Sequence, residues 1–403
     1  MVKAGTSEAR AYLGLAKIYW AQSYYQHGKL MFDKAHERDP DDPEIRKHWL
    51  FTLTGKEMAD ELKRSLASDN NDEEDEREHL HVGLELDEGM LASRSRCKLV
   101  STATDAKIHM ERLMYGATYV RGAGLKVQVN NVGAKLLLDS GSSGILLSRK
   151  VAEKAGIHSL AETDLHGIGD KGTVKSFIGM ADSIKIGPLE FQGCHVEVVE
   201  RNSVVDDDGL IGSDVFSHFL VNINLPDYLL ELSALPPMPP ATAAEKALVE
   251  KYPKIARFRD GFVPPELKNF TPVYRFGHLL LIPTRINELP AKLFIIDTGA
   301  FSDTISPEAA REVTKVRGDD NFKVKGINGA VKNVFTADEL TLTFSHFRQP
   351  ARDMIAFDTS KMMPATDPEI AGGLGFAMLY QMQIKIDYRD GLVDFIYEPN
   401  RIH

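Results

Sequence analysis

The sequence predicts a mainly β chain made of two tandem copies of one β-rich unit, preceded by an α-helical segment. Three observations carry this. Apolar residues recur at helical spacing over residues 7–66. From about Tyr119 the chain turns into short, alternating β-like runs separated by Gly, Asn and Asp. Landmarks of the first β-rich stretch then return in the same order in a second stretch, from about Tyr274 to Pro399.

In the helical segment, taken as residues 1–68, Tyr12, Leu15, Ala16, Tyr19, Gly28, Phe32, Ala35 and Pro40 fall at the spacings of the tetratricopeptide repeat, which the stretch resembles. Small residues let two helices approach closely, and Pro40 ends the second. A following helix is expected to carry Ile45, Trp49, Leu53, Met58, Leu62 and Leu66 along one stripe. One repeat is too few to stand alone, so the segment is expected to dock on the rest of the protein or to end a longer array, and to contact a partner protein. Residues 69–115 are taken as a linker of no assigned structure. They open on the acidic run 69–78, read as a solvated linker or helix start rather than an interaction tail, and include His79 and His81, read as solvated rather than as metal ligands.

The first β-rich unit is placed at residues 116–235. Leu125–Val129 alternates with period two, Asn130 to Gly133 supply turn residues, and Lys135–Leu138 reads as a buried strand ending at Asp139. The stretch 236–270, with its Pro-rich start, is taken as an interdomain linker containing a short helix near 244–252, and the second unit as 271–403.

The internal repeat decides the architecture. The run ending in Asp139-Ser140-Gly141 is answered by the run ending in Asp297-Thr298-Gly299, 158 residues on. Ser148 and Ser306, each an expected helix N-cap, have the same separation. Gly167-Ile168-Gly169 is answered by Gly326-Ile327-Asn328-Gly329, and Leu210-Ile211-Gly212 by Gly373-Leu374-Gly375.

These landmarks resemble the aspartic-protease fold of retroviral proteases and pepsin over roughly residues 119–399, and the whole chain resembles bacterial aspartyl-protease-family proteins with retropepsin-like units and a tetratricopeptide segment. The resemblance implies two units forming one pseudo-symmetric site that hydrolyses peptide bonds, with Asp139 and Asp297 as the catalytic pair. It implies loop support from Ser140, Gly141, Ser142, Thr298 and Gly299, with the Ser140 and Thr298 hydroxyls cross-bonding the units. Flaps over an extended peptide would carry Gly167, Ile168, Gly169, Gly326, Ile327, Asn328 and Gly329. Ile211, Gly212, Leu374 and Gly375 would brace the two Asp loops. Ser142 is matched by Ala300, which makes the two carboxylates inequivalent, and Asp214 is matched by Ala377, leaving no second acid there. The chemistry stands on its own logic: two carboxyls facing one water hold one proton between them, so one activates water while the other hydrogen-bonds the scissile carbonyl. No cofactor and no metal is required, and the substrate is a peptide or protein.

Other readings fail on context. Gly167 to Gly172 spells a dinucleotide fingerprint, but the following residues continue as strand and the second unit lacks the pattern. Gly141 to Gly144 lacks the spacing of a serine-nucleophile elbow. A net charge of -10 without a basic run argues against nucleic acid. No apolar run reaches membrane-span length, and the first 30 residues lack a signal-peptide pattern, so the expected location is cytoplasmic, or exported if the native start is missing. Cys97 and Cys194 are expected to be free, buried thiols. The rival to hydrolysis is a noncatalytic peptide-binding scaffold on the same fold.

Overall fold

Asn130 and Asn131, with φ of 47° and 68°, turn the chain between the strands Tyr119–Val129 and Val132–Asp139. Two central residues at positive φ match the right-handed twist of the flanking strands, and Asn tolerates that region. The structure is a computed structural model that describes residues 4–67 apart from Phe51 and Thr54, then 97–165, 167–170, 172–199, 208–252, Ile255, 258–318, 323–360 and 368–399. His79, His81 and the acidic run 69–78 lie outside the described residues.

Along Val132–Asp139, Leu136 and Leu138 point into the main core while Leu137 joins a separate cluster with Leu113, Leu146, Val199 and Leu210. Alternation thus places Asp139 on the same strand face as Leu137. The Asp-bearing strand lies between Tyr119–Val129, antiparallel, and Gly209–Gly212, parallel, with Ile211 opposite Leu138 and Gly212 opposite Asp139. Gly209–Gly212 also pairs antiparallel with Ile145–Ser148. The second half repeats the arrangement. Lys292–Ile296 lies between Leu279–Ile286, antiparallel, and Ile370–Leu374, parallel, which pairs antiparallel with Thr304–Ile305. Both expected caps form: Ser148 Oγ accepts from the Val151 amide and Ser306 Oγ from the Ala309 amide.

A six-stranded sheet joins the halves. Ala106–His109, Leu229–Ala234 and Phe219–Asn224 come from the first half; Met382–Asp387, Leu392–Tyr397 and Thr271–Pro272 come from the second. The halves meet at the antiparallel pair Phe219–Asn224 and Met382–Asp387, where Asn222 Nδ2 donates to Gln383 Oε1 at 3.0 Å.

The chain divides into two compact units, one of residues 1–96, 236–268 and 389–391 and the other of 97–235, 269–388 and 392–403. In the first, the helices Ala4–Ala21 and Tyr25–Arg38 pack through Ala9, Leu13, Ala16, Phe32 and Ala35, and a Cβ at Gly28 would lie 3.0 Å from the Trp20 ring. Leu15 is 45% exposed, because the Ala9, Leu13, Ala16 stripe turns it away from this core. The single helix expected beyond Pro40 is two, Pro43–Leu50 and Gly55–Ala67, since Thr52 folds back to donate both its amide and its hydroxyl to the Trp49 carbonyl.

Three expectations are corrected here. Residues 236–268 are no free linker but part of the helical unit. Asp260 accepts from the Gln26 and His27 amides at the start of Tyr25–Arg38, Phe258 and Ile255 pack on Tyr25, and Tyr252 donates to Asp33. These partners lie over two hundred residues away in sequence, so nothing local announces them. Residues 98–115 are strands rather than linker: Lys98–Leu99, Ala106–His109 and Glu111–Tyr115 pair with distant or longer strands and are too short to be read alone. Cys97 and Cys194 form a disulfide: the antiparallel pairing of Lys98 with Gln192 carries Cys97 alongside the strand segment that holds Cys194. Among the described residues no helix is long and apolar enough to cross a membrane.

Candidate active site

Asp139 ends its strand, and Asp297 follows the residue that ends the matching strand of the second half. Their carboxyl groups lie within hydrogen-bonding reach of each other, each keeping part of its surface open. A methyl added at Gly141 would lie 2.8 Å from Asp297 Cγ, and one at Gly299 would collide with the Asp139 carboxyl. Glycine is therefore required at both positions by the approach of the opposite carboxyl, rather than by turn geometry alone.

Burial and then the charge of Asp297 push the Asp139 carboxyl well above the usual carboxylate range. Burial also raises Asp297, opposed by backbone donors. Within their own loops the two sites differ: Asp297 Oδ1 accepts from Gly299 N at 3.0 Å and Ala300 N at 2.8 Å, whereas Asp139 Oδ1 accepts from Gly141 N at 2.8 Å and its carboxyl also meets the Gly299 amide across the pair. The hydroxyl support expected from Ser142 is not formed. Its amide instead donates to the Asp139 carbonyl at 3.3 Å, closing the turn, and among the described residues its hydroxyl makes no bond to that carboxylate. The asymmetry between Ser142 and Ala300 therefore runs through the backbone, in the extra amide that the second loop turns onto its own carboxyl.

Beneath the pair, Ser140 and Thr298, each about 1% exposed, exchange two hydrogen bonds with each other and make two more to carbonyls of the opposite half. Ser140 N donates to Thr298 Oγ1 and Thr298 N to Ser140 Oγ, both at 3.0 Å; Ser140 Oγ donates to the Ile296 carbonyl at 2.7 Å and Thr298 Oγ1 to the Leu138 carbonyl at 2.9 Å. Each hydroxyl is donor and acceptor at once, the full capacity that a buried hydroxyl needs to satisfy.

The missing acid opposite Ala377 is supplied from the other side of the same junction. In the first half Asp214, just past the bracing strand, accepts from Gly144 N at 3.0 Å and Ser143 Oγ at 3.1 Å in the Asp loop. In the second half Asp303, within the Asp loop, accepts from Gly375 N at 2.7 Å just past the bracing strand. Burial pushes Asp303 up to about 6 from 3.8. A carboxyl whose pKa is higher folded than unfolded binds protons more tightly in the fold, so its contribution is full below 3.8 and falls as pH rises through about 6. Asp303→Asn keeps an acceptor for Gly375 and should remove this slope, worth up to about 3 kcal/mol between pH 4 and 7. Urea unfolding across that range checks it; an unchanged slope in the variant would rule the assignment out.

The expected flap residues meet tip to tip. Gly167, Ile168 and Gly169 follow the strand Ser159–Leu165; Ile327 and Asn328 form the turn between Lys325–Gly326 and Gly329–Ala330. Asn328 N donates to the Ile168 carbonyl at 3.0 Å, Asp170 N to the Ala330 carbonyl at 3.2 Å, and Lys332 N to Asp170 Oδ2 at 2.7 Å. Gly326 packs against the Ile168 backbone with no room for a Cβ, and Gly169 holds φ of 137°. Ile327 packs against the cluster of Leu113, Leu137, Leu146, Val199 and Leu210, a branched apolar side chain on the strand face that also carries Asp139.

Sequence reasoning missed Asp303, Arg275, His278 and Tyr388. His278 sits in the turn between Tyr274–Phe276 and Leu279–Ile286, and its Nε2 lies 3.2 Å from the Gly141 carbonyl. Arg275 donates to the Tyr388 carbonyl at 2.6 Å, and the Tyr388 and Ser213 hydroxyls are 2.5 Å apart. None belongs to a repeated motif, so no sequence signal marks them.

Residues 125–215, from the first hairpin through Asp139 to the end of the bracing segment, match the family model described as Aspartyl protease. The chain is similar to DNA damage-inducible protein 1 of Chaetomium globosum, 35% identical over 103 residues, which is 25% of this chain and 22% of that protein. It is also similar to UBA domain-containing protein Mud1 of Schizosaccharomyces pombe, 29% identical over 110 residues, 27% of this chain and 32% of that protein. It thus spans less than a third of either relative. Both are fungal, so the bacterial side of the resemblance gains no support from them. Among solved structures it is similar to an aspartic proteinase from Irpex lacteus, with a TM-score of 0.45 and 12% identity, covering 73% of this chain and 98% of that one. The family match is confined to residues 125–215, within a mainly β chain that has a helical segment before it.

Proposed function

We propose that the protein is an aspartic endopeptidase whose two halves form one pseudo-symmetric site, with Asp139 and Asp297 activating a shared water. The observation that carries this is the mutual approach of the two carboxyls, each reached across the opposite loop's glycine. Two buried carboxyls so close cannot both ionise near neutral pH. Asp139, with one amide donor from its own loop, holds the proton and hydrogen-bonds the scissile carbonyl. Asp297, with two amide donors, stays ionised and takes the proton from water. A peptide would lie extended beneath the joined flap tips, recognised through its main chain, with apolar side chains against Leu137, Leu210 and Ile327.

The scaffold reading drew on the helical repeat module and on the missing partner of Asp214, and Asp303 answers the second of these. A peptide-library digest across pH decides between them. Hydrolysis needs one proton on the pair, so cleavage should fall at both ends of the range, with the alkaline limb above the usual carboxylate range because Asp139 is raised. Peptide binding without turnover at any pH would leave the scaffold.

A further inference from the structure

We propose that His278 is a positioning residue of this site, holding the Gly141 carbonyl, and through that loop the Asp139 carboxyl, from the opposite half. The inference rests on the hydrolytic reading above. A carbonyl oxygen only accepts, so the 3.2 Å contact requires the proton on His278 Nε2. The Gly141 amide in turn donates to Asp139 Oδ1 at 2.8 Å, so one residue links the imidazole to the carboxyl that carries the proton.

The hairpin bearing His278 is anchored for this task. Gly277, at φ of 57°, makes the tight turn, and Arg275, two residues before it, donates to the Tyr388 carbonyl with its guanidinium 5.5 Å from that ring's centre. The Tyr388 hydroxyl meets Ser213, whose neighbour Asp214 holds the Gly144 amide and the Ser143 hydroxyl. The first Asp loop is thus gripped at Gly141 from one side and at residues 143–144 from the other. The charged groups around His278 are Asp214, Arg275 and Asp297, and burial lowers its proton affinity, which keeps the imidazole neutral with one N–H to give. At the position 158 residues earlier the first half has Val120, whose side chain carries no donor.

His278→Phe removes the donor while keeping a planar ring, and His278→Gln restores an N–H at a similar reach. With wild type and both variants compared at matched folded fraction from urea unfolding, His278→Phe should lower kcat about 10- to 100-fold with KM changed less than about twofold, and His278→Gln should recover most of the loss. A purely structural role would not split kcat from KM or respond to the amide. Cleavage by wild type with His278→Phe equally fast, or with His278→Gln as slow as His278→Phe, would overturn the inference alone. A wild type that cleaves no peptide would sink the hydrolytic reading and the inference with it.

Discussion

Asp139→Asn is expected to lower kcat/KM for any cleaved peptide by at least about 10³-fold, and Asp297→Asn likewise, while the protein stays folded. The amide can neither give up nor take a proton, so either the proton for the developing oxyanion or the base for water is lost. The same substitution should leave stability at neutral pH equal or higher. Both carboxyl pKa values are raised by burial, and Asp139 further by the charge opposite, so the fold disfavours the second ionisation and its stability declines as pH climbs above the ordinary carboxylate range. An uncharged amide at position 139 removes the share of that decline that comes from Asp139 and from the repulsion between the two charges. Peptide turnover and thermal unfolding measured together at pH 7 separate this outcome from simple misfolding. Cleavage surviving in either variant would remove the pair from the mechanism.

Thr298→Val should cost about 2–5 kcal/mol and reduce activity with it. The methyl that replaces the hydroxyl leaves the Ser140 amide without its acceptor and the Leu138 carbonyl without its donor, at a site about 1% exposed where water cannot replace them. Ser140→Ala should act alike through Thr298 N and the Ile296 carbonyl. Because these bonds join strands that end at the two carboxyls, their loss also loosens the separation on which a shared proton depends. Thr298→Ser keeps the hydroxyl and should stay near wild type. Urea unfolding of the three variants is the check, and a valine variant as stable as wild type would show that the crossed bonds contribute nothing.

Much of the site was legible because it is written twice. Each Asp follows an apolar strand with period-two patterning, each small residue after it sits where a tight turn needs one, and each half ends its unit on a short apolar run before glycine. The Asn130-Asn131 turn and the Ser148 and Ser306 caps are local signals of the same kind, read from neighbours within four residues. The Ser142 contact failed because whether a hydroxyl or an amide turns toward the carboxylate depends on the peptide plane of the loop, which side-chain identity does not specify.

By itself the sequence determined the mainly β class, the strand and turn pattern around Asp139 and Asp297, and the helical start, since these depend on residues adjacent along the chain. Only the tertiary structure decided that Asp303 stands in for the acid missing opposite Asp214, that Cys97 joins Cys194, that residues 236–268 complete the helical unit, and that His278 reaches Gly141. Each of these is a pairing between segments tens to hundreds of residues apart. Such a pairing is set by strand register and by which faces the core leaves open, and no local pattern encodes it.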